Sequence, residues 1–152
     1  MSEGLTAALI IGAFVILFPL FWMAILQLIA HFGGWKALAK IYAAQGPAFG
    51  DHFNFATARF RRFTNYSNCL SVSVSPQGVY MRPFILLRAG HEALFIPWDE
   101  ILQLTRWQAS IFSSAQLTIN RPGGQSPIKI TLYGKKLARS LYKHAPHHLT
   151  DA

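Results

Sequence analysis

From Gly4 to Ala30 no residue carries a charge, and the stretch LTAALIIGAFVILFPLFWMAILQLI inside it is almost wholly apolar. A helix needs about 20 such residues to cross roughly 30 Å of hydrocarbon, so the run predicts a transmembrane helix over 4–31 with length left for tilt. No later segment comes close. A cleaved secretory signal would ask for a basic start, a short apolar core and small residues before the cut. Here Met1-Ser2-Glu3-Gly4 comes first, the core is long, and Trp22 and Gln27 precede a Gly33-Gly34-Trp35 exit, so the segment is expected to be retained. A core helix of a globular fold would need a large domain around it, and the rest of the chain is too small to wrap it.

Composition agrees with two unlike regions. Over 152 residues, 52% hydrophobic content and a mean hydropathy of +0.27 coexist with a net charge of +8. All fourteen Lys and Arg follow the apolar run, against five of the six acids, a surplus of nine positive charges in that part. With none before the run and Lys36, Lys40, Arg59, Arg61 and Arg62 after it, the positive-inside rule predicts a cytoplasmic C-terminal domain and an outside N-terminus. The single Cys69 suits a reducing compartment. With this orientation, Asn65-Tyr66-Ser67 is a chance match to a glycosylation sequon.

Within the helix, Gly4, Ala8 and Gly12 recur every four residues and would form a small-residue stripe that lets another helix approach closely in lipid; small residues are also simply common in membrane helices. Phe14, Phe18 and Trp22 make an aromatic face, and Pro19 is placed to kink the helix near its centre. His31 at the exit has the chemistry to ligate a haem, but a polar end marker is the plainer reading, and no cofactor is expected. The interior has no ionisable residue with which to relay protons, transport ions or sense voltage.

A juxtamembrane amphipathic helix is expected over 33–45. Trp35, Leu38, Ile41 and Tyr42 fall at helical spacing with Lys36 and Lys40 one turn apart, which suits rings among headgroups and cations toward anionic lipid. The alternative is a first domain helix packed on a sheet. A loop follows from Ala43 to about Phe55, marked by Gly46-Pro47 and Gly50-Asp51. The period then becomes two. Leu70, Val72 and Val74 alternate with serines, Pro76-Gln77-Gly78 turns, and Val79-Tyr80-Met81 returns. Further strands are expected around 84–87, 93–98, 101–107, 112–119 and 128–133. An amphipathic helix over 135–144 has Leu137, Ala138, Leu141 and Tyr142 on one face, and 147–152 is a tail.

Many short antiparallel strands closed by one C-terminal amphipathic helix is the order of a pleckstrin-homology-like (PH-like) barrel, here over 57–146. Gly78-Val79-Tyr80-Met81 and Leu94-Phe95-Ile96-Pro97-Trp98-Asp99-Glu100-Ile101 resemble the strand pair of bacterial PH-like and GRAM-like domains. With Trp35-x-x-Leu38-Ala39-x-x-Tyr42 upstream, the chain is similar over most of its length to small uncharacterised bacterial membrane proteins with one helix and such a domain. The resemblance implies a membrane α+β fold in a bacterial inner membrane. It carries no catalytic or ligand residues across.

Little in the chain points to catalysis. Only Asp99 and Glu100 are neighbouring acids, and in a strand they would face opposite ways. No nucleophile elbow, phosphate-binding glycine loop or cysteine zinc spacing occurs. His144, His147 and His148 lie on a tail with no rigid frame for a metal. The cationic surplus favours membrane lipid over nucleic acid as a partner, since a tethered base near an anionic leaflet contributes roughly 1 kcal/mol and no nucleic-acid module is visible. Two functions are compatible with these features. One is a non-enzymatic accessory or assembly subunit of a larger integral membrane complex; the other is a free-standing adaptor that binds headgroups or a peptide at the membrane surface.

Overall fold

The computed structural model describes residues 2–61, 64–108 and 112–150. Ser2 caps the apolar run: its Oγ accepts from the Leu5 amide at 3.3 Å, and Glu3 sets a carboxylate at the positive end of the helix dipole. Helix α1 then runs Glu3–Gly33, passes Pro19 without ending, and stops where Gly34 adopts a left-handed φ of +92°. It is long and apolar enough to cross a membrane. Gly34 also starts α2, Trp35–Tyr42, shorter than the expected 33–45.

Seven antiparallel strands follow: β1 (Asp51–Phe60), β2 (Thr64–Val74), β3 (Gly78–Pro83), β4 (Leu94–Pro97), β5 (Ile101–Gln108), β6 (Ser113–Ile119) and β7 (Ile128–Tyr133). Their order is β4-β3-β2-β1-β7-β6-β5, which bends the sheet into a nearly closed barrel with β4 and β5 as its edges. Short 3-10 turns lie at Ile85–Leu87 and Trp98–Glu100. Alternation sends Leu70, Val72 and Val74 of β2, Leu117 and Ile119 of β6, and Ile130 and Leu132 of β7 inward. Helix α3 (Lys135–His144) closes one end with Leu137, Ala138 and Leu141, and a last turn, α4 (His147–Thr150), buries Leu149. Ala30, Trp35, Leu38 and Tyr42 join the same core, so the two N-terminal helices and the barrel share one hydrophobic interior.

Several expectations need correction. Residues 51–55 form strand rather than loop, because Asp51 pairs with Val74 and Phe53 with Val72; pairing across the sheet overrides the poor strand propensity of Asp, His and Asn. The barrel therefore begins at Asp51, earlier than residue 57. Residues 84–87 are no strand: β3 ends at Pro83, and the 3-10 turn follows directly. Asp99 and Glu100 lie in a 3-10 turn, and residues 147–150 of the tail are helical.

Candidate functional site

The most distinctive surface is the junction between α1 and the barrel. At 31 residues and about 1.5 Å each, α1 is about 46 Å long. Its C-terminal third rides on the domain through Leu26, Ala30 and Gly33, one face at helical spacing. Glycines permit the approach: a Cβ on Gly33 would lie 2.7 Å from the Thr64 side chain, and one on Gly90 (φ +73°) 2.7 Å from Gln27 Oε1. Arg61 donates to the Phe32 carbonyl at 3.3 Å, bringing a cation and a donor to the unsatisfied, negative end of α1. Higher up, the Trp22 indole N–H donates to the Leu86 carbonyl at 3.0 Å, fastening the 84–87 turn to the helix.

The helix-packing residues of the sequence reading divide between two faces. Gly4, Ala8 and Gly12 are exposed, with no atom near where a Cβ would stand on Gly4 or Gly12. Phe14, Phe18 and Trp22 form a ladder of stacked rings, 5.3 and 6.4 Å between centroids. Each step of four turns about 40°, so the ladder winds through Trp22 toward Leu26 and Ala30 on the domain, while Phe14 stands about 160° round the helix from Ala30. Phe18, Pro19, Trp22 and Leu86 border one apolar hollow.

The interface residues also divide. Trp35 is fully buried: it stacks on Phe60 at 5.0 Å, meets Tyr66 and His91 edge-on at 5.4 and 5.3 Å, and donates to the Glu92 carbonyl at 2.8 Å. Tyr42 is buried as well, 2.7 Å from the Asn120 carbonyl and 3.1 Å from Glu100 Oε2; burial, then Glu100, push its hydroxyl up to about 12. Neither ring is free to lie among headgroups. The face that carries Trp35, Leu38 and Tyr42 packs on the sheet, and the outer side of α2 carries Lys36 and Lys40. These two lysines line a hollow of about 440 Å³ with Gln27, Ala39, Gly90 and Glu92. Arg59, Arg61 and Lys129 line a second, cationic hollow of about 420 Å³ with Gln116, Pro127 and Thr131. Arg62 lies outside the described residues.

Three further groupings escape sequence reading. Phe55, at a β-bulge with φ +57°, turns outward and meets Phe84 edge-on at 5.1 Å. Buried Tyr66 and His91 join through the hydroxyl and Nε2 at 2.9 Å, while His91 Nδ1 donates to the Ala89 carbonyl at 3.0 Å. Nε2 is then the acceptor, and burial holds the imidazole below its usual range. Asp51, Ser140 and His144 bring together the residue types of a hydrolytic triad, but the Ser140 hydroxyl (2.7 Å) and His144 Nε2 (3.1 Å) both contact Asp51 Oδ2. A serine whose proton points at the carboxylate rather than at the imidazole is not activated, so the trio ties β1 to α3. The Ser140 bond, then His144, hold the Asp51 carboxyl below the usual carboxylate range.

His31 packs edge-on against Phe32 at 5.2 Å, and among the described residues no group of three or more His, Cys, Asp or Glu is placed to hold a metal. Burial pushes the Cys69 thiol up, away from the reactive thiolate. No family model and no curated protein matches the chain.

Proposed function

We propose that the chain is a non-enzymatic single-pass protein of a bacterial inner membrane, an accessory or assembly subunit of a larger integral membrane complex, with a cytoplasmic PH-like docking domain. The observation that carries this reading is that α1 is apolar and exposed on every side from Leu5 to Met23. A helix apolar all round needs a nonpolar solvent, and the barrel covers only its C-terminal third. Hydrocarbon supplies that solvent, and the Lys and Arg bias argues for a cytoplasmic barrel. Seven antiparallel strands with a helix across one open end support the PH-like assignment.

A complex is favoured by the open stripe of Gly4, Ala8 and Gly12. At about 100° per residue it lies on the same side of α1 as Leu26, Ala30 and Gly33, but Gly12 stands about 15 Å along the axis from Trp22, so a partner helix can pack on it beyond the domain. The second reading, a free-standing adaptor for headgroups or a peptide, is favoured by the Arg59, Arg61 and Lys129 hollow. Purification of tagged protein in mild detergent, followed by mass spectrometry, separates the two. Stoichiometric membrane subunits that are lost on Gly12→Ile support the complex, whereas a lone monomer or dimer supports the adaptor.

A further inference from the structure

The 84–87 turn presents two highly exposed apolar side chains side by side, Ile85 at 74% and Leu86 at 78%, and Phe55, itself 67% exposed, lies against the neighbouring Phe84. Water is a poor environment for this cluster, and three of its backbone carbonyls do not depend on water. The carbonyls of Phe84, Ile85 and Leu86 each already have a donor: the Leu87 amide at 2.8 Å, the Arg88 amide at 3.4 Å and the Trp22 indole at 3.0 Å. A turn with these three carbonyls satisfied loses less on entering the outer edge of a medium that offers few hydrogen bonds. The indole of α1 takes the place a water would fill.

The level of the turn along α1 identifies the medium. From Glu3 to Trp22 the helix rises about 29 Å at 1.5 Å per residue, close to the roughly 30 Å thickness of hydrocarbon. With Glu3 at one face of the bilayer, Trp22 stands at the other, where indoles concentrate. Leu86 is held at that level by its bond to Trp22, and it shares the hollow lined by Phe18 and Pro19, which lie farther into the span. Arg82 and Arg88 flank the turn in sequence and are exposed, as suits a rim of anionic headgroups.

We propose that Ile85 and Leu86 form a wedge that enters the bilayer beside α1, so that the barrel touches the membrane at a second point and its face toward the lipid is fixed. This rests on the membrane-spanning reading of α1, and the test separates the two. Full-length protein carrying Cys69→Ala is spin-labelled in turn at Ile10→Cys, Leu86→Cys, Ile85→Cys and Gln125→Cys. Each is reconstituted into phosphatidylcholine and phosphatidylglycerol vesicles and read by power saturation with oxygen and a water-soluble nickel chelate. Labels at 10, 85 and 86 that favour oxygen, with 125 favouring nickel, support the wedge. Lipid exposure at 10 with nickel exposure at 85 and 86 overturns the wedge and leaves the span intact. Shielding of 85 and 86 from both reagents overturns it in favour of a protein partner, and nickel exposure at 10 removes both proposals.

Discussion

Replacing Trp35 by alanine decides whether the segment after Gly34 belongs to the barrel or to the bilayer surface. Trp35 is fully buried, its ring packed among Phe60, Tyr66 and His91 and its N–H bonded to Glu92. Truncating a buried Trp costs about 3–5 kcal/mol, and the lost part-buried bond to the Glu92 carbonyl argues for the middle of that range. About 4 kcal/mol is a large part of the roughly 5–15 kcal/mol that holds a domain folded. At about 4 °C per kcal/mol for about 100 residues, the midpoint falls by about 16 °C. The assay is thermal unfolding of the full chain in detergent micelles by near-ultraviolet circular dichroism, because α1 stays helical in micelles and would mask the transition at shorter wavelengths. Trp35→Phe keeps the stacking and loses the hydrogen bond, so it costs less, about 1–3 kcal/mol. Trp107→Ala, at an exposed position, stays within about 0.5 kcal/mol of the parent. A Trp35→Ala protein that melts with the parent would refute the core assignment and return the ring to the headgroups.

Burial lowers the His91 pKa from 6.5 in the folded state, so the unfolded chain binds more protons below that value. Stability is therefore level above about pH 6.5 and falls as pH drops below it; urea midpoints across this range fall less steeply for His91→Gln than for the parent. Asp51, whose carboxyl is also depressed, adds a separate loss at lower pH, as the pH falls from 3.8 through its folded value, and Asp51→Asn removes that limb of the profile. Gly33→Ala drives a Cβ into Thr64 and costs about 1–3 kcal/mol by the same unfolding measurement, with part of the loss recovered by adding Thr64→Ala.

The parts legible in the sequence are those whose signal is local. The uncharged run of α1 needs no tertiary context, and the alternation in β2 and β7 and the apolar face of α3 are regular enough to announce their elements. The parts that escaped depend on distant residues. Asp51-His52-Phe53-Asn54-Phe55 becomes strand only because β2 lies alongside it. Phe84-Ile85-Leu86-Leu87 has strand-like composition, and its role as an exposed turn follows from Pro83 and from a bond to Trp22 across 64 residues of chain. Trp35 and Tyr42 share an amphipathic spacing that suits a headgroup layer and a barrel equally well, and only the presence of Phe60, Tyr66 and Asn120 beside them chooses. The Asp51 clamp to Ser140 and His144 joins opposite ends of the barrel sequence, beyond any local motif.

The junction bears on how such a domain would be used. A barrel on a flexible linker samples many orientations, and a partner must hold it in one of them at an entropic cost. Here there is no linker. Leu26, Ala30 and Gly33 of α1 are packed on the domain, Gly34 is followed at once by buried Trp35, and Arg61 and Leu86 hold the helix at two levels. In the proposed membrane setting, the bilayer fixes the helix and the helix fixes the barrel, so the two cationic hollows and the 84–87 turn meet the membrane and its occupants in a single pose. Much of the ordering that a mobile adaptor would lose on docking is then already complete in the fold. A disruption of the seam, as in Gly33→Ala, would weaken docking even where every contact residue remains in place.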